Sequence, residues 1–281
     1  MRKRTILLAL LAAAGANLLV SAPAHAVPGL SFHSASTASN TTDTKSVSVA
    51  CPAGTKPLGG GFFVSGGAGG RISVTRLQAL SPSNTYAVTA TEADDGAPGA
   101  WALHGYATCA PALPGLTYVS FSTGSDSTPA KIAIATCPAG KRVVGTGARL
   151  LGDAGQVVLD DVHPNAGLTS VSASAYEDGS GYAGNWNLYA YATCATNPAG
   201  LVLATADTAP ANSLDDAVGA TCPGSTRLLS PGGSVNGGTG HVFYGGIYPS
   251  ADLTQAVAVT IEQNGGYGSN WWTQVSAICA S

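Results

Sequence analysis

Six cysteines at a fixed step constrain this chain more than any other feature. Cys51, Cys137 and Cys222 stand 86 and 85 residues apart, and Cys109, Cys194 and Cys279 stand 85 and 85 apart. Leu30, Leu116 and Leu201 keep the step, as do Glu92, Glu177 and Glu262, and also Trp101, Trp186 and Trp271. One long period shared by so many positions identifies a threefold internal duplication. The units run over residues 28–113, 114–198 and 199–281.

Residues 1–26 precede the repeats and read as an export leader. Arg2, Lys3 and Arg4 supply a positive start, Ile6 to Ala14 an apolar stretch, and Ala24-His25-Ala26 a small-residue cleavage site, so cleavage is expected after Ala26. Asn17 interrupts a stretch already too short to span a bilayer. A secreted chain without membrane insertion is therefore expected. Without the leader, nine basic residues face fifteen acidic ones, a net charge of about −6. That balance disfavours nucleic acid and anionic membranes as partners.

Six cysteines permit fifteen pairings, and the repeat selects one: Cys51 with Cys109, Cys137 with Cys194, Cys222 with Cys279. Disulfides persist outside the cell. Metal ligation finds no support, because there is no Cys-x-x-Cys and no histidine recurs at the period. Closing each loop of 57 or 58 residues stabilises a unit by roughly 4 kcal/mol in chain-entropy terms.

Within a unit the hydrophobic pattern has period two, punctuated by Gly and Pro. Ser46 to Cys51, Lys131 to Cys137 and Ala217 to Cys222 alternate and run into Cys-Pro turns. Further strands are expected near Leu30 to Ser36, Leu58 to Val64, Arg71 to Ala79, Tyr86 to Glu92 and Trp101 to Cys109, about six per unit. After the leader no stretch sustains helical spacing, so the fold is expected to be all-β and antiparallel. In the last strand Trp101 keeps the parity of Cys109, as Trp186 does with Cys194 and Trp271 with Cys279, which favours a packed inner face for all three rings over the alternative of carbohydrate-stacking surface rings. Tyr106, Tyr189, Tyr191 and Trp272 then fall on the outer side.

Two further features keep the period. Gly61, Gly147 and Gly232 stand ten residues after the first cysteine of each unit. No Lys-Ser, Lys-Thr or helix follows them, so they read as a bulge or a close backbone approach, not a phosphate loop. Lys56, Arg142 and Arg227 each stand five residues after that cysteine, and Glu92, Glu177 and Glu262 each seventeen before the second. Opposite charges held at matched positions predict an ion pair inside each unit. The rival arrangement gathers the three carboxylates around a cation on a threefold axis.

Catalytic patterns are missing: there is no Gly-x-Ser-x-Gly, no His-Glu-x-x-His and no cysteine outside the three pairs. His33, His104, His163 and His241 occupy unrelated positions. Asp160, Asp161 and His163 form the one acid and histidine cluster, expected as a solvated turn before Pro164. Asp94 with Asp95, and Glu177 with Asp178, sit beside glycine and read as turns. The Gly-rich loops before the Trp strands carry Tyr182 and Asn185 in repeat 2, and Tyr267 and Asn270 in repeat 3, an aromatic face and amides suited to a sugar ring. Repeat 1 has Ala97 and Ala100 there.

The run Cys-Pro-Ala-Gly-Lys-Arg-Val-Val-Gly-Thr-Gly at 137–147, with Tyr-Ala-Thr-Cys-Ala at 191–195, resembles a module of secreted actinobacterial proteins and of some phage-tail-associated proteins. The resemblance spans all three units and implies an exported bacterial β module; it carries no catalytic residue onto this chain. Linkers Ala110 to Gly115 and Ala195 to Gly200 are both six residues long, which suits three β-prism-like or β-sandwich-like units packed about a pseudo-threefold axis. The alternative is three bead-like domains.

The chain therefore reads as a secreted, non-catalytic binding protein without cofactor or metal, with an extracellular glycan or polymer as its partner. A protein-interaction or structural module, such as an inhibitor of secreted proteases, is the alternative, and a hydrolase the third reading.

Overall fold

The computed structural model describes residues 27–66, 70–152 and 155–281; the leader at residues 1–26 lies outside them. Among the described residues every regular element is a strand, eighteen in all. Repeat 1 forms β1 (Ser31–Ser36), β2 (Thr44–Ala50), β3 (Thr55–Gly66), β4 (Ile72–Leu80), β5 (Thr85–Glu92) and β6 (Trp101–Pro111). Repeat 2 forms β7 (Thr117–Ser122), β8 (Ala130–Thr136), β9 (Lys141–Leu151), β10 (Val157–Pro164), β11 (Ser170–Glu177) and β12 (Asn187–Thr196). Repeat 3 forms β13 (Val202–Asp207), β14 (Asp215–Thr221), β15 (Arg227–Asn236), β16 (Val242–Pro249), β17 (Gln255–Glu262) and β18 (Trp272–Ala280).

The strands build three six-stranded antiparallel sheets, and none belongs to one repeat. Their orders are β1-β6-β3-β16-β17-β14, β13-β18-β15-β10-β11-β8 and β2-β5-β4-β9-β12-β7. Each repeat divides into two half-sheets of three strands, and each half pairs with a half from another repeat. Repeat 1 joins repeat 3, repeat 3 joins repeat 2, and repeat 2 joins repeat 1, so the exchange closes into a ring. Separate beads are thereby ruled out: an isolated repeat would leave two internal strand edges unpaired.

The seams between half-sheets are short. They pair Phe63 and Phe62 with Gly246 and Ile247, Arg149 and Ala148 with Arg76 and Leu77, and Ser234 and Gly233 with Asp161 and Val162. Beside each seam the β4, β10 and β16 strands carry a bulge, between Val74 and Arg76, Leu159 and Asp161, and Tyr244 and Gly246. A bulge bends its strand and ends regular pairing, which lets each sheet turn from one repeat to the next. The periodic glycines serve these junctions. A Cβ on Gly61, Gly147 or Gly232 would run into the carbonyl oxygen of Ile247, Leu77 or Val162 of the neighbouring repeat.

The expected disulfides are all present, with Cα separations of 5.7, 5.7 and 5.8 Å. Each leaves the end of a strand in one sheet and enters a strand of another, so the three bonds tie the sheets pairwise. One apolar core runs through all three repeats. A smaller cluster brings together Leu58, Val144 and Leu229, one from each repeat, with Ala110, Ala195 and Ala280. Leu58, Val144 and Leu229 are each the extra residue at a bulge, which re-aims them toward this shared centre.

Candidate functional site

Glutamate and tryptophan meet in every repeat. The indole Nε1–H of Trp101, Trp186 and Trp271 donates to Glu92, Glu177 and Glu262 at 2.8, 3.3 and 2.9 Å. The other carboxylate oxygen accepts the backbone N–H five residues on, from Ala97, Tyr182 or Tyr267, at 2.8, 3.0 and 2.8 Å. All three rings are fully buried, as the strand parity favoured. Each glutamate thus satisfies a buried donor and pins the start of a Gly-rich loop.

This geometry corrects the expected ion pairs. Among the described residues Lys56, Arg142 and Arg227 form no salt bridge with Glu92, Glu177 and Glu262; the two ion pairs present are Arg71–Asp95 at 3.4 Å and Lys131–Asp126 at 2.5 Å. Arg142 and Arg227 donate to the carbonyls of Lys141 and Thr226. Nor do the three carboxylates gather around a cation, since each stays in its own corner. The cations that matter there were overlooked. Lys45 and Lys131 are buried with Nζ 4.7 and 4.8 Å from the Trp101 and Trp186 ring centroids. Lys45 donates to Asn40, and Lys131 to Asp126 and the Gly124 carbonyl. Two signals in the sequence pointed here: the constant nine-residue step from Glu to Trp, and lysines one period apart.

The loops pinned by these glutamates converge at one end of the molecule. Residues from all three repeats line a cavity of about 420 Å³: Ala93, Asp94 and Asp95 from the first, Asp178, Gly179 and Ser180 from the second, and His241, Phe243, Gln263 and Asn264 from the third. The convergence has a local cause. Gly70, Gly155 and Gly240 all have positive φ, and each lies against the carbonyl of Glu262, Glu92 or Glu177 of the adjoining repeat. Ala93, Val158 and Phe243 form an apolar cluster beneath. Around the mouth the loops hold one another: Gln156 donates to Asp94 at 3.3 Å, Asn264 to Asp95 at 3.4 Å, and Arg71 bridges to Asp95. His241 stacks on Tyr267 with centroids 4.7 Å apart, and its buried Nδ1 has no partner among the described residues.

The four residues read as a sugar platform take other places. Tyr182 and Tyr267 are half-buried against the core, and the Tyr267 hydroxyl donates to the Gly237 carbonyl. Asn185 and Asn270 are exposed. None of the four lines the cavity, although Tyr267 reaches it through the His241 ring. Apart from His241, just ahead of β16, the polar lining comes from the first residues of the same loops, where matched positions carry different residues: Ala93, Asp178 and Gln263, then Asp94, Gly179 and Asn264.

The acid and histidine cluster is also corrected. Asp160, Asp161 and His163 lie within β10, not in a turn, and Asp160 is only 4% exposed. Asp160 is the extra residue at the bulge, which re-aims its side chain into the interior. Its Oδ1 and that of Asp161 are buried without partners among the described residues, and Ser174 donates to Asp161 at 2.5 Å. Burial, with the neighbouring Asp161 charge second, holds the Asp160 carboxyl well above its usual range. His163 contacts the Pro164 carbonyl. His104 lies 2.7 Å from both Ser36 and Ser65, but on the open outer face of its sheet, where the backbone amides belong to strand pairing.

No protein-family model matches this chain, and no curated protein matches it. Among the described residues no helix is long and apolar enough to cross a membrane.

Proposed function

We propose that this is a secreted, non-catalytic binding protein that holds a saccharide unit of an extracellular polymer in the cavity where the three loops meet. The observation that carries the reading is the lining itself. Carboxylates, amides, a hydroxyl and an imidazole from three repeats surround an apolar floor of Ala93 and Phe243. Convergent hydrogen-bonding groups over a small hydrophobic base suit a polyhydroxylated ring. Export rests on the leader and is supported by three disulfides, which favour an oxidising compartment.

The test is retention of the mature chain on a glycan array and on insoluble polysaccharides, including cell-wall polymers. Retention is expected, with loss on combining Asp178→Ala with Asn264→Ala at unchanged thermal stability. No retention on any polymer would end this reading, and screening against exported proteases then addresses the inhibitor alternative.

A further inference from the structure

We propose that the outer face of the sheet shared by repeats 1 and 2 binds an anionic saccharide, its oxyanion held between Arg76 and Arg149. This site is separate from the loop cavity and does not depend on it. Arg76 and Arg149 are direct cross-strand partners at the seam between β4 and β9. Like charges placed directly opposite are destabilising. Among the described residues neither has a carboxylate within 4.0 Å. Arg76 donates from Nε to Gln78 at 2.9 Å, which leaves the outer nitrogens of its fork for another acceptor. Burial first, and then the Arg149 charge, pulls the Arg76 pKa down, as expected for two guanidinium groups confined without a counter-ion.

The fold does not demand this pair. At the same place the other two seams set Phe63 against Gly246 and Ser234 against Asp161. Arginine on both sides is therefore a chemistry particular to this face. Two planar forks side by side match a carboxylate, phosphate or sulfate group. Aromatic surface lies next to them: Tyr189 pairs with Arg149, and the Tyr189 and Tyr191 rings are nearly parallel, 10° apart in plane with centroids at 6.1 Å. A crevice of about 220 Å³ adjoins, lined in part by Gln78, Tyr118, Ser120 and Tyr191. An acidic group on a sugar ring has here both a charge clamp and rings to lie against.

Calorimetric titration of the mature chain at low salt with oligogalacturonate, glucose 6-phosphate and neutral maltotriose tests the proposal. Binding of at least one of the two acidic probes, weakened at least tenfold by Arg76→Gln and by Arg149→Ser, is expected, with Arg227→Gln, which removes one positive charge on a different sheet, leaving it unchanged. Uronate alone points to a carboxylate polymer, and sugar phosphate alone to a phosphorylated one. Arg149→Ser should melt no lower than the parent chain in chloride buffer, because it removes a like-charge pair. No binding of either acidic probe, equal binding by both arginine variants, or maltotriose binding of equal affinity that the two arginine variants weaken to the same extent would overturn the site.

Discussion

The Trp corner and the outer seam occur three times each, yet they have diverged in opposite ways. In the corner Glu and Trp are the same in all copies and make the same two hydrogen bonds. At the seam the facing pairs are Arg with Arg, Phe with Gly, and Ser with Asp. The difference follows from solvent. A buried indole N–H without an acceptor costs about 1–3 kcal/mol, so few substitutions are tolerated at the corner, whereas Arg76, Arg149 and Phe63 at the seams are only half-buried and keep part of their contact with water. Repeat 3 shows how far the corner itself can bend: Asp216 replaces the buried lysine and accepts from Thr208 at 2.9 Å.

The corner should break hardest. Trp186→Ala is expected to cost about 3–5 kcal/mol through the cavity it leaves, read by urea denaturation with disulfides intact. Glu262→Gln keeps the shape but turns an amide N–H toward a donor, for an expected loss of about 1–3 kcal/mol. The same change at Glu92 should cost less, because Glu262 is buried and Glu92 only half-buried. Lys131→Met, which gives up the contact with the Trp186 ring, is expected to cost about 1 kcal/mol. If it costs nothing, the lysine is dispensable in repeat 2 as it is in repeat 3.

The bulges beside the seams sharpen the comparison through pH. Thr75, Asp160 and Gly245 occupy the bulge positions, and Asp160 alone among them titrates. Its folded pKa is raised, so its contribution is fully present below the unfolded value of about 4 and is lost as pH rises through the folded value. Asp160→Thr should therefore raise the melting temperature at pH 8 and lose that advantage below about pH 4. The smallest effect is expected on the outer edge of β8, where Ile132 and Ile134 are 62% and 50% exposed. Replacing both with serine, as at Ser46 and Ser48 of repeat 1, should change stability by no more than about 0.5 kcal/mol.

Much of the architecture was legible in the chain. The period, the pairing of six cysteines, six strands per unit and the inner parity of three tryptophans all follow from local rules, since alternation and spacing act over a few residues or recur in each copy. The ion pairs were misassigned because matched spacing shows that two residues are repeated together without showing that they touch. Glu92 pairs with Trp101, nine residues away, and not with Lys56. The cavity was half legible. Its loops were apparent from their glycines, but its lining positions, though they keep the period, hold a different residue in each copy, so no repeated side chain marks them.

What the sequence by itself determined is a β unit made three times, each braced by one disulfide. Only the tertiary structure decided that no sheet belongs to one unit, that the loops of three units share one cavity, and that two arginines 73 residues apart face each other. Those outcomes depend on which strand edge meets which. An edge is an unpaired row of backbone amides and carbonyls, nearly the same for every sequence, so the choice of partner is settled by bulges, close glycine contacts and burial once the chain has closed into a ring.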